Sequence, residues 1–87
     1  MKMAFNSLNK RLEFLNRLIT EGFNVRMHGY EYFIRRNKFI CVILINPSKN
    51  EADFYKILWN HQESIISIKK IMKILLEMNP GMRLEIH

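Results

Sequence analysis

Cysteine is almost missing from this chain: the single Cys41 has no partner for an intrachain disulfide. A disulfide scaffold is thereby excluded, and a reducing compartment is the expectation. Cys41 lies inside an apolar run and reads as a small buried hydrophobe. A reactive thiol needs cationic, partly exposed surroundings. Glycine is scarce too. Gly22, Gly29 and Gly81 stand alone, so no phosphate-cradling glycine-rich loop can be built. The two prolines, Pro47 and Pro80, sit in separate breaks, and there is no linker, repeat or low-complexity tract. No apolar run approaches the ~18–20 residues of a membrane span. Met1-Lys2-Met3-Ala4-Phe5 lacks the apolar core of a signal peptide, and Glu13 and Glu21 weigh against a mitochondrial presequence. The expected location is cytoplasmic, with no membrane partner.

Chemistry-bearing patterns are also wanting. His28, His61 and His87 share no metal-ligand spacing, and with one cysteine no metal site is expected. No Ser, His and Asp grouping and no pair of carboxylates stands out. No cofactor motif is present. These absences favour a non-enzymatic protein.

What is abundant is positive charge. Fourteen basic residues against eight acidic give +6 on 87 residues. Such a field favours phosphate- or carboxylate-bearing partners: nucleic acid, an anionic surface, or an acidic protein. Solubility alone is the bland explanation. The hydrophobic share of 48% is generous for one small domain. Surplus apolar surface needs cover, so a homodimer is as compatible with the sequence as a monomer.

The clearest structural signal runs from Tyr30 to Ile45. Two β-branched and aromatic runs flank the polar break Arg36-Asn37-Lys38, which predicts a hairpin. The second run, Phe39 to Ile45, has no polar residue on either face. That predicts a central strand, or an edge covered by another chain.

Around this hairpin the chain reads in order. A helix is predicted from about Ser7 to Glu21. Its apolar stripe is Phe5, Leu8, Leu12, Leu15, Leu18 and Ile19, and Gly22 ends it. Lys10, Arg11, Asn16 and Arg17 fall on a solvated face. Strand one spans Phe23 to His28, and Gly29 supplies the positive φ of the next turn. Strand two spans Tyr30 to Arg35, and strand three Phe39 to Ile45. One face of this meander is core; the other carries Arg26, His28, Glu31, Phe33 and Arg35. After the break at residues 46–50 the reading forks. Ser48 and Glu51 have capping-box spacing, yet residues 53–59 suit a strand, which is preferred. A second helix runs from about His61 to Met78, with an apolar face of Ile65, Ile68, Ile71, Met72, Leu75, Leu76 and Met78. Asn79-Pro80-Gly81 stops it, and residues 82–87 alternate as a short edge strand. The expected fold is a single α+β domain over residues 1–87. It comprises a helix, an antiparallel three- or four-stranded meander, a second helix and a C-terminal strand, with both helices on one face.

Two basic clusters are the candidate sites. Arg26, Arg35, Arg36 and Lys38 gather at the hairpin, interleaved with Tyr30, Tyr32 and Phe33. Lys69, Lys70 and Lys73 lie on one face of the second helix. Sheet aromatics stack single-stranded bases while flanking cations hold the backbone. Of the three aromatics, only Phe33 belongs to the charged face. Without a helix-turn-helix pattern, RNA is favoured over a duplex DNA site. The alternative is a phage- or mobile-element-type protein that inhibits a host nuclease, toxin or defence factor, with RNA as a bridge in one version.

His28 supplies a minor alternative. It ends a strand beside Arg26 and Gly29, where a histidine can act as general acid/base on RNA. The order helix, Gly22-Phe23, strand, His28-Gly29, strand resembles the small HicA-type messenger-RNA interferases, which share a double-stranded-RNA-binding-like fold. The resemblance implies a His28-dependent ribonuclease. The Gly-Ser-His motif of those toxins is absent and the tail strand is extra, so it covers element order alone.

Overall fold

A computed structural model of the chain describes residues 4–56 and 61–87, the side chains of Ala4 and His61 excepted. Helix α1 (Leu8–Thr20) leads into strands β1 (Asn24–His28), β2 (Glu31–Arg36), β3 (Lys38–Asn46) and β4 (Glu51–Lys56). Helix α2 (His61–Met78) and strand β5 (Arg83–Ile86) follow. The five strands lie in the sheet in sequence order. β1 to β4 are antiparallel, and β5 runs parallel to β4 after the α2 crossover. The fold is the expected α+β arrangement, with both helices on one face.

Local chemistry sets the boundaries. Ser7 caps α1 by accepting from Lys10 N–H. Gly22 follows with φ +93°, a left-handed conformation that β-carbon-bearing residues resist. Asn37 and Asn50 take positive φ at the two loops, as asparagine tolerates. The capping-box reading of Ser48 and Glu51 is overturned. Pro47–Lys49 form a single 3-10 turn, Ser48 Oγ bonds Asn46 Oδ1 at 2.8 Å, and Glu51 opens β4. The preferred strand is thus present over Glu51–Lys56; the rest of that reading, residues 57–59, lies outside the described residues.

The core joins Phe14 and Leu18 of α1 and Ile68, Ile71, Ile74 and Leu75 of α2 to the covered sheet face. Tyr32, Ile34, Ile43 and Phe54 supply that face. The expected α1 stripe is rotated. Leu8, Leu12 and Ile19 are exposed, whereas Phe14, absent from that stripe, is fully buried. Aromatic packing decides the rotation. Phe14 meets Phe5 edge-on at 5.9 Å and Tyr32 at 4.9 Å. Tyr32 Oη donates to Arg11 O at 2.9 Å. Arg11, expected on a solvated face, is half-buried. Its guanidinium lies 4.2 Å over the Tyr30 ring and donates to Gly29 O, pinning the β1–β2 turn. On α2, Ile74 is core and Leu76 is exposed, a smaller rotation of the expected face.

Two buried groups make stability depend on alkaline pH. Burial pushes the Cys41 thiol up to about 12. Burial also raises the Tyr32 phenol, with Arg11 opposing. Both stay protonated in the fold where the unfolded chain ionises, so the unfolded state binds fewer protons. Stability should hold below about pH 9 and fall as pH rises toward 12, each group contributing a limiting slope of about 1.4 kcal/mol per pH unit. Denaturant unfolding at intervals from pH 8 to 11 checks this. A level profile contradicts it, as does alkylation of Cys41 in the native protein at pH 8.

Candidate nucleic-acid interface

Along each strand alternate side chains go to the helices and to the uncovered face. Register aligns the uncovered set in rows across the sheet. One row is Asn24, Arg35 and Phe39; the next is Arg26, Phe33, Val42 and Tyr55; a third is His28, Glu31, Leu44 and Asp53. The two apolar faces of the third strand are thereby explained. β3 is central and paired on both sides. One of its faces enters the core, and the other floors the uncovered surface.

Phe39 reaches this floor through a β-bulge. Ile34 pairs with Cys41 and Arg35 with Phe39, so Ile40 is the extra residue. Ile40 and Cys41 are both buried, and Phe39 flips to the side of Phe33. Phe33 and Phe39 meet edge to face at 6.5 Å and 88°. His28 meets Phe33 at 5.7 Å and 81°. With Asn24, Arg26 and Arg35 these rings line a depression of about 740 Å³.

The arginines divide sharply. Arg11 and Arg36 donate to the backbone carbonyls of Gly29 and Glu21, while Arg17 and Arg83 pair with Glu77 and Glu51. Among the described residues, Arg26 and Arg35 have no such partner, and both are exposed at the rim of the aromatic floor.

The expected hairpin cluster is therefore split. Arg26, Phe33 and Arg35 are together. Arg36, adjacent in sequence to Arg35, points to the other face. It lies 4.4 Å over the Phe23 ring and closes the end of α1, where a Cβ on Gly22 would come within 3.0 Å of it. Lys38 is exposed opposite Arg36 at the hairpin end, away from the Phe33 row. Lys69, Lys70 and Lys73 are exposed on α2, on the side of the sheet that the helices cover. Lys70 lies 4.0 Å from Glu21 across the two helices, and Lys69 and Lys73 flank Met72 and Leu76. Arg26 and Arg35 thus lie on the opposite side of the sheet from the α2 lysines.

Asn24 and Phe39 belong to the site without having been expected there. Asn24 was legible, since it shares the parity of Arg26. Phe39 was not, because strict alternation places it with Cys41 and Ile43 in the core.

The far end of the uncovered face is acidic. Glu51 and Asp53 of β4 stand beside Arg83 and Glu85 of β5. His87 stacks on Tyr55 at 4.7 Å and 12°, and its Nε2 lies 2.8 Å from Asp53 Oδ1. One ligand atom from each of Asp53, Glu85 and His87 falls within 4.8 Å of the others. The Asp53–His87 hydrogen bond accounts for this closeness without an ion. No helix among the described residues is long and apolar enough to cross a membrane. Comparison with protein-family models, with curated proteins and with solved structures finds no match to this chain.

Proposed function

We propose that this chain is a non-enzymatic binder of single-stranded nucleic acid, RNA ahead of DNA, acting in a reducing, cytoplasmic setting. One observation carries the reading. Arg26 and Arg35, the two arginines without partners among the described residues, flank the half-buried aromatic floor of Phe33 and Phe39. Unpaired guanidiniums suit phosphates, and ring faces and edges suit unstacked bases. A broad sheet face does not enter a duplex groove as a helix does, whereas splayed single strands lie across it. The acidic β4–β5 end repels phosphate, which confines the footprint to the β1–β3 end. His28 here packs against Phe33 and contributes a wall of the site rather than a catalytic step.

The test is a titration of a mixed-sequence RNA, its DNA counterpart and a duplex at several salt concentrations. Binding to the single strands should weaken with salt, with a log–log slope near −0.7 for each phosphate held. Absence of binding at low salt, or salt-independent binding, overturns the reading.

A second reading has its own observation. Leu8, Leu12 and Ile19 are 53%, 38% and 51% exposed on α1. An apolar stripe of that kind suits a protein partner, such as the host factor of an inhibitor. A partner captured from a host extract and retained after nuclease treatment favours this reading; loss on nuclease treatment favours the first.

A further inference from the structure

β5 is an outer strand, and its ladder to β4 shows which of its backbone groups are free. Arg83 N–H donates to Asn50 O at 2.9 Å, and His87 N–H to Phe54 O at 2.8 Å. Successive residues of a strand bond to opposite sides. Leu84 and Ile86 therefore turn their N–H and C=O groups outward, away from β4. The strand contains no proline, and its register with β4 is unbroken; it is short and carries Arg83 and Glu85, so further pairing needs a partner that answers those charges. Leu84 is half-buried and Ile86 is 42% exposed on the helix side; Arg83 and Glu85 project from the uncovered face.

We propose that two copies of this chain pair through β5, antiparallel about a two-fold axis at Leu84, into one ten-stranded sheet. The outward parity of Leu84 and Ile86 allows only registers that bring these residues into hydrogen-bonded pairs. In one, Leu84 faces Leu84 of the second copy. Arg83 then stands opposite Glu85 of the second copy, and Glu85 opposite Arg83, in the closer, non-hydrogen-bonded positions. In another, Leu84 faces Ile86 and Glu85 is driven against Glu85; in a third, Ile86 faces Ile86, which takes Arg83 away from Glu85 and sets Glu85 opposite His87, already bonded to Asp53. Charge selects the first register. Its apolar side sets Leu84 against its copy and Ile86 against Met82 of the second copy. Met82 N–H is already bonded to Asn79 O, but its carbonyl can accept from Ile86 N–H.

The opposite edge offers no such complement. In β1 the outward residues are Val25 and Met27: Ile45 N–H donates to Tyr30 O, so Tyr32 and Ile34 bond toward β3, while Glu31, Phe33 and Arg35 bond toward His28, Arg26 and Asn24 of β1. Self-pairing there sets Arg26 against Arg26, His28 or Asn24, depending on register. None of these is a pair of opposite charges. A two-fold contact closes on itself, whereas β1 of one copy on β5 of the next would grow without end.

The test is sedimentation of the full chain over a wide concentration range, with circular dichroism as the check on folding. The wild type should be dimeric. Arg83→Glu and Glu85→Arg should each raise the dimer dissociation constant roughly tenfold or more, since an attractive cross-strand pair becomes repulsive twice over. The double variant R83E/E85R exchanges both partners and should restore the dimer. A monomeric wild type overturns the proposal. So do dimers indifferent to the single reversals, a double variant that stays monomeric, and growth beyond two copies.

Discussion

Replacing Arg26 and Arg35 by alanine should weaken RNA binding roughly tenfold for each residue at low salt, and should flatten the salt dependence by about 0.7 for each phosphate no longer held. Both side chains are exposed, so the fold should be intact. Phe33→Ala should act differently. It removes a stacking surface worth about 1–3 kcal/mol per base and leaves the salt slope unchanged. The slope thus separates backbone contact from stacking within one experiment. The informative control is the triple Lys69→Ala, Lys70→Ala, Lys73→Ala variant. It removes more charge than the arginine pair, but from the other side of the sheet. If the site is the depression floored by Phe33 and Phe39, the triple variant binds nearly as the wild type does. An affinity that tracks total charge, whichever residues are removed, sinks the assignment. Arg36 makes a second control. Its guanidinium is committed to Glu21 O and the Phe23 ring, so Arg36→Ala should lower stability more than affinity.

Alternation makes much of this candidate site readable in the sequence. In β2 the sequence Tyr32-Phe33-Ile34-Arg35 sends Phe33 and Arg35 one way and Tyr32 and Ile34 the other, and the structure does the same. Adjacency in sequence groups Arg36 with Arg35. Neighbours on a strand point to opposite faces, and parity alone separates them. The bulge at Ile40 was not readable. Every residue from Phe39 to Ile45 is apolar, so no polar residue marks where the period slips. The parallel pairing of β5 was equally hidden. Alternation in residues 82–87 predicts a strand, but the direction of pairing comes from the α2 crossover, which returns the chain alongside β4. The lysine cluster was legible as an exposed helix face. Its separation from Arg26 and Arg35 follows only once both helices are placed on the side of the sheet opposite Phe33.

The rotation of α1 leads to the largest effect on stability. Phe14→Ala should cost about 3–5 kcal/mol, while Leu12→Ala should cost less than about 1 kcal/mol. The periodicity of Leu8, Leu12, Leu15 and Ile19 suggests the reverse ranking, because these four residues form a tight stripe on a helical wheel. Phe14 lies about 120° from Leu8 at ~100° per residue. Yet Phe14 is wholly buried and Leu12 is 38% exposed. A large ring wedged between Phe5 and Tyr32 outweighs several leucines on the flank, since it fills space that no neighbour can close. Tyr32 Oη also bonds Arg11 O, which fixes the helix in this rotation. A domain of this length has a total stability of roughly 4–13 kcal/mol. The loss of Phe14 therefore removes about a quarter or more of it, and thermal unfolding should shift down by roughly 15–30 °C. Melting curves of the two variants beside the wild type decide the matter. Equal shifts, or a larger one for Leu12→Ala, would mean that α1 buries its leucine stripe instead. The exposed Leu8, Leu12 and Ile19 would then no longer be a surface for a protein partner, and the second functional reading would fall with them.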